Sequence, residues 1–163
     1  MKQIYLIRHA KSDWSDPNLD DFDRGLSPRG KKDIKLIAEK LKEKNMVPDL
    51  ILCSKAKRTK RTAKGLLSHT GFDAKIVYKK DLYFCTPEHM IETIQKIKKR
   101  YKKVWLIGHN PELSQVVTRL EDHTIGEVPP LGIVGIHTKI KKWGSFQAKK
   151  AQFDFFIYPK LFR

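Results

Sequence analysis

The chain has 163 residues, 40% of them apolar and 10% aromatic, enough side chain to offset the entropy of ordering, so disorder is excluded as a default. Its 34 Lys and Arg against 18 Asp and Glu give a formal charge of +16, a field that draws in anions but does not by itself name them. No run approaches the roughly 20 apolar residues of a membrane span, and Cys53 and Cys85 alone make neither a disulfide scaffold nor a four-thiolate zinc site.

The chain opens on Ile4-Tyr5-Leu6-Ile7, an apolar run without polar alternation, as expected of a strand covered on both faces. A helix is expected next: Ile34, Ile37, Ala38 and Leu41 share a face, and Ser27-Pro28 supplies a cap and a first-turn proline. Leu50-Ile51-Leu52-Cys53 is a second strand, residues 56–69 a second helix, and Ile76-Val77-Tyr78 a third strand. Behind Thr86-Pro87, the residues Met90, Ile94, Ile97 and Tyr101 predict a helix, and Val104-Trp105-Leu106-Ile107 a fourth strand. Leu113, Val116, Val117 and Leu120 repeat the helical spacing behind Asn110-Pro111. The tail changes character, with strands expected over 132–140 and 148–158 around a turn at Trp143-Gly144-Ser145. The alternation predicts one layered α/β domain over 1–163, with a mostly parallel sheet flanked by helices and a C-terminal hairpin at its edge. The run after Lys2 is too short for a signal-peptide core, and a soluble protein of the reducing cytoplasm is expected.

Charge is distributed unevenly. Twelve basic residues against four acidic ones lie in 31–64, whereas Asp13, Asp16, Asp20, Asp21 and Asp23 form a cluster without Lys or Arg. A solvated lysine-rich surface explains such runs, and so does attraction of phosphates, acidic proteins or nucleic acid. Nucleic-acid binding asks for aromatics set among the cations. Those near Lys139–Lys150 cluster as a buried terminal strand would, so a nucleic-acid partner is not expected.

Ligands of open α/β sheets gather beyond the carboxyl ends of strands. Three such ends carry chemistry here: Arg8-His9-Ala10-Lys11-Ser12, then Ser54 with Lys55, Lys57, Arg58 and Arg61, then Gly108-His109-Asn110-Pro111. Two histidines beside guanidinium groups suit a dianionic phosphoryl group. Arginine matches its oxygens in a fork, and a neutral imidazole with one nitrogen held can attack phosphorus through the other. A metal or other cofactor is not expected, because these loops offer no neighbouring carboxylate ligands and Arg8 and Arg58 would repel a cation. Cys53 reads as packing near the pocket.

Leu6-Ile7-Arg8-His9-Ala10-Lys11-Ser12 resembles the opening signature of the histidine phosphatase superfamily, which includes the phosphoglycerate mutases. Arg24-Gly25-Leu26-Ser27-Pro28-Arg29-Gly30, Ser54 to Arg58 with Thr62-Ala63, and Leu106-Ile107-Gly108-His109-Asn110-Pro111 resemble its later segments in order. The short length and the Arg-His-Ala-Lys-Ser opening are most similar to the SixA type, the small phosphohistidine phosphatases. The resemblance implies a phosphoglycerate mutase-like fold, His9 as a transiently phosphorylated nucleophile, and Arg8, Arg58 and His109 around the phosphate. It adds Ser12 or Lys11 as further phosphate contacts and leaves Arg61 facing solvent.

Two departures matter. Ala10 stands where larger members have glycine, and Leu82-Tyr83-Phe84 lacks the acid of the mutase-like Leu-x-Glu. Glu88 is the nearest substitute proton donor, unless it only serves the first turn of its helix. General-acid help is worth about 10²–10⁴-fold, so its loss penalises phosphate esters more than phosphoramidates. The implied activity is hydrolysis of phosphohistidine on a partner protein, releasing inorganic phosphate. A phosphomonoesterase acting on a small phosphate ester is the alternative, followed by a basic nucleic-acid-binding module or a non-catalytic phosphate-recognition module. Arg8 and Arg58 should also depress the pKa of His9.

Overall fold

In the computed structural model, residues 1–121 and 125–163 are described. β1 (Lys2–Arg8), β2 (Leu50–Ser54), β3 (Lys75–Lys79), β4 (Lys103–Gly108), β5 (Ile133–Thr138) and β6 (Gln152–Ile157) form one sheet in the order β3-β2-β4-β1-β5-β6. The first four are mutually parallel, and β5 and β6 add antiparallel strands at one edge, as expected of the C-terminal hairpin. Side chains alternate between two cores. Ile4, Leu6, Leu52, Leu106 and Val134 enter one, while Tyr5, Ile7, Ile51, Trp105 and Ile133 enter the other. This explains the unbroken apolar runs, because each fully buried Ile or Leu gains about 1.5–3 kcal/mol from leaving water on either face.

Helices cover both faces. α1 (Pro28–Lys44) and α2 (Lys57–Thr70) supply the second core, and α3 (Pro87–Gln95) and α4 (Glu112–Thr118) the first. Ser27 caps α1 by accepting from the Gly30 amide at 3.0 Å, and Thr86 caps α3 through the His89 amide at 3.0 Å.

The structure corrects two boundaries. α3 ends at Gln95, short of Tyr101, where the cation run 96–103 begins. There the Tyr101 carbonyl turns outward to accept from the Trp143 indole at 2.7 Å and from Lys2 Nζ at 3.0 Å. Residues 143–145 and 148–150 form 3₁₀ turns, so β6 starts at Gln152 rather than 148. Trp143 and Phe146 are fully buried, making this connection part of the core rather than a bare turn.

Adjacency of β2, β4 and β1 places the site. Arg8 pairs with Gly108 and Cys53 with Ile107, so the chain leaves all three strands side by side at Ser54, His109 and His9. No helix among the described residues is long and apolar enough to cross a membrane.

Candidate active site

His9 leaves the end of β1 with its amide donating to the Gly108 carbonyl at 3.2 Å, which stitches it to the end of β4. Its ring is 7% exposed, and Nδ1 lies 2.7 Å from the Ala10 carbonyl. A carbonyl can only accept, so Nδ1 carries the proton and Nε2 is left with its lone pair. That lone pair faces Arg58, whose Nε donates to it at 3.3 Å. The Ala10 amide in turn donates to Thr62 Oγ1 at 3.0 Å, and Thr62 donates to the Arg58 carbonyl at 2.8 Å. Thr62 therefore locks the loop after β1 onto the first turns of α2, the helix that carries Arg58.

Gly30 makes a second lock. A Cβ there would lie 2.3 Å from the Lys11 carbonyl oxygen, an approach only glycine permits. The Lys11 carbonyl accepts from the Ser27 amide at 2.9 Å, tying the same loop to the start of α1.

His109 stands between the ends of β1 and β2, its ring centroid 5.3 Å from that of His9. Its Nε2 lies 2.8 Å from Ser54 Oγ, which also accepts from the Ala56 amide at 3.2 Å. The Ser54 hydroxyl proton is best used toward His109 Nε2, which puts the imidazole proton on Nδ1. His109 Nδ1 is buried without a partner, and so is Arg8 Nε. Both are N–H donors, the kind of group that a phosphoryl oxygen accepts from. Arg8 is anchored by donating from Nη1 to the Val128 carbonyl at 2.9 Å.

The four residues expected to converge, Arg8, His9, Arg58 and His109, thus share one pocket at the ends of three adjacent strands. Burial, with Arg58 and Arg8 adding to it, lowers the pKa of His9 to about 4. Burial, then His9, Arg58 and Arg8, lowers that of His109 to about 3. The sequence attributed the shift at His9 to the arginines, whereas desolvation leads. Both rings are neutral near pH 7, the state in which Nε2 of His9 is nucleophilic. Activity should accordingly survive acidification well past pH 6.5, the ordinary imidazole value, because protonation is deferred toward pH 4. A pH profile of kcat/KM, divided by the substrate's own ionisation, tests this. An acid limb at or above about pH 6.5 would contradict it.

Other expected site residues lie elsewhere. The Ser12 hydroxyl accepts from the Trp14 indole at 3.1 Å, and its backbone bridges to Leu26. Lys11 lines a groove with Asp33, Pro129, Tyr158 and Arg163. Glu88 is exposed on the first turn of α3, where it accepts from Arg119 Nη2 at 2.6 Å. That hydrogen bond lowers its pKa, so it is an ionised surface partner rather than a proton donor. Arg61 is exposed, as anticipated. Burial raises the Cys53 thiol to about 12, which makes it inert packing.

Two neighbours of the pocket escaped sequence reasoning. Asp21 accepts from Arg58 twice, at its carbonyl from Nη1 (2.6 Å) and at Oδ2 from Nη2 (2.9 Å). Tyr83 donates to the same Oδ2 at 2.5 Å and meets the His109 ring edge-on at 5.4 Å. Asp21 is one of five aspartates in a run, and Tyr83 stands in a segment notable only for its missing acid. Neither had a signal of its own. Ser54 and Thr62 belonged to a recognised segment without a stated role.

A family model described as "Histidine phosphatase superfamily (branch 1)" matches residues 4–105, more than half of the chain. An uncharacterised protein of Mycobacterium tuberculosis is 36% identical over 108 residues, 66% of this chain; the chain spans only 65% of that relative's length. Phosphoglycerate mutase 1 of Saccharomyces cerevisiae is 37% identical over 65 residues, 39% of this chain and 26% of the mutase. Among solved structures, a chain from Agrobacterium tumefaciens provisionally named phosphohistidine phosphatase SixA superposes with a TM-score of 0.84 at 26% identity, covering 97% of this chain and 98% of that one. The protein histidine phosphatase SixA complexed with tungstate gives 0.81 at 18% identity, with 99% of both chains covered, a likeness of fold.

Proposed function

The chain belongs to the histidine phosphatase superfamily, and from that premise we propose that it is a phosphatase acting on phosphohistidine carried by a partner protein. One observation carries the reading: His9 has its Nδ1 proton spent on the Ala10 carbonyl and its Nε2 lone pair turned toward Arg58. In the first step Nε2 attacks phosphorus in line, and the bond from phosphorus to the substrate nitrogen breaks. Arg8, Arg58 and the Nδ1–H of His109 hold the non-bridging oxygens while charge develops on them. The leaving imidazole takes its proton from solvent. Water then attacks phosphorus on His9, inorganic phosphate departs, and the neutral ring is restored.

The segment Leu82-Tyr83-Phe84 supports this substrate class. Tyr83 occupies the segment where a carboxylic acid would sit, and burial together with Asp21 raises its pKa to about 12, a poor donor to an alkoxide. A phosphoramidate nitrogen needs no such donor. The surroundings also suit a folded partner. Lys57, Lys60, Arg61 and Lys64 fall at i, i+3, i+4 and i+7 along the outer side of α2, the helix that turns Arg58 inward. With Lys55 they line grooves of about 430 and 560 Å³, and among the described residues none pairs with a carboxylate. Phe84 stands 79% exposed beside Tyr83 with φ at 56°, a left-handed conformation that costs a non-glycine residue about 1–3 kcal/mol. The unpaired lysines and Arg61 suit an acidic protein surface, beside Asp13 and Asp23 in the same grooves. The buried state of Trp143 and Phe146 removes them as stacking platforms for nucleic acid.

The whole of 1–163 is taken as one catalytic domain of the cytoplasm, where the free thiols Cys53 and Cys85 stay reduced. A comparison of kcat/KM on a phosphohistidine protein with that on sugar and nucleotide monophosphates tests the substrate. At least about 10²-fold preference for phosphohistidine is expected, the lower bound of general-acid help. A preference for an ester would establish the small-molecule phosphomonoesterase in its place.

A further inference from the structure

We infer that Asp21 is a resident anion that competes with phosphate for Arg58, and that it thereby sets how tightly the phosphoryl group is held and how readily inorganic phosphate leaves. The inference rests on the reading of this pocket as a phosphate site. All three nitrogens of the Arg58 guanidinium are engaged: Nε by His9 Nε2, Nη1 by the Asp21 carbonyl and Nη2 by the Asp21 carboxylate. The Nη1 and Nη2 pair is one of the edges with which arginine grips a phosphate. Here that edge is already held by an anion of this chain.

The contact has a physical reason. The Arg58 side chain is only 8% exposed, and a buried cation without a counter-charge is costly. Asp21 neutralises it, and Tyr83 donates to the same carboxylate oxygen. When a dianionic phosphoryl group enters, two anions compete for one fork, and Asp21 must yield or share it. Asp21 is built to yield. It sits on a three-residue 3₁₀ turn (Asp21–Asp23) whose N-cap has no side-chain hydrogen bond, and its side chain is 35% exposed. After hydrolysis its return to Arg58 helps expel the product. Asp21 acts through Arg58 and not on the reacting atoms, so it is a positioning residue.

The opposite role, a clamp that merely holds Arg58 in place, predicts an effect of opposite sign. Calorimetric titration of inorganic phosphate into the unaltered protein, Asp21→Asn and Tyr83→Phe, at one pH and salt, separates the two. With the competing charge removed, Asp21→Asn should bind phosphate on the order of tenfold tighter. Tyr83→Phe, which loosens the carboxylate and keeps the ring, should shift binding the same way by less. In turnover, Asp21→Asn should lower KM and make phosphate a stronger product inhibitor. Binding by Asp21→Asn that is equal to or weaker than that of the unaltered protein overturns the inference. So does Tyr83→Phe showing no tightening, should Asp21→Asn not fold. An unaltered protein that binds no phosphate at all removes the reading of the pocket and the inference together.

Discussion

Replacement of His9 by alanine is expected to lower kcat by at least about 10⁴-fold and to abolish the trapped phosphoenzyme, as loss of a nucleophile does in enzymes of known mechanism. No neighbour can take over. The Ser54 hydroxyl is committed to His109, and burial holds the Cys53 thiol at about 12, without thiolate near neutral pH. Arg8, Arg58 and His109 remain, so the variant should still bind inorganic phosphate. That separates the nucleophile from the cradle. Removing the ring leaves Arg58 Nε without its acceptor, at a cost of about 1–3 kcal/mol, so a thermal melt must accompany the assay. Brief exposure to ³²P-labelled substrate followed by acid-free electrophoresis reads the intermediate. A labelled alanine variant, or one retaining a tenth of the turnover, would remove His9 from the reaction.

The second large effect is expected at Arg58→Lys, a loss of roughly 10²–10³-fold in kcat/KM, the range for removing one transition-state donor. Lysine keeps the charge and loses the planar fork. Its single nitrogen cannot span His9 Nε2, the Asp21 carbonyl and Asp21 Oδ2, which three separate nitrogens of the guanidinium reach. Both kcat and phosphate affinity should fall, because the group holds the oxygens before and during transfer. A loss of less than tenfold would mean that charge alone suffices and that the fork geometry is incidental. Arg61→Lys, one turn along and exposed, is the matched control and should change turnover little.

Individual residues divide cleanly by how far their information reached along the chain. Strands β1, β2 and β4 were readable because they are buried on both faces, which leaves an unbroken apolar run. Arg8, His9 and His109 stand at the ends of such runs, and the resemblance to the histidine phosphatase superfamily singled them out together with Arg58. Helix starts at Ser27-Pro28 and Thr86-Pro87 were readable because capping is settled within four residues. Helix α3 was overextended because past Gln95 the backbone tightens to i→i+3 bonds, Ile97 to Ile94 and Tyr101 to Lys98, and the Tyr101 carbonyl then goes to Lys2 and Trp143.

The sequence by itself determined the layered architecture, since burial pattern is a local property, and its resemblance to the histidine phosphatase superfamily picked out Arg8, His9, Arg58 and His109. Only the tertiary structure decided their protonation states, the pairing of Ser12 with Trp14 and of Glu88 with Arg119, and the capture of Arg58 by Asp21. Those outcomes depend on which oxygen meets which nitrogen across separations of 37 residues from Asp21 to Arg58 and 62 from Asp21 to Tyr83. A shift of an ångström or two makes or breaks a hydrogen bond, and no pattern of residue types records it.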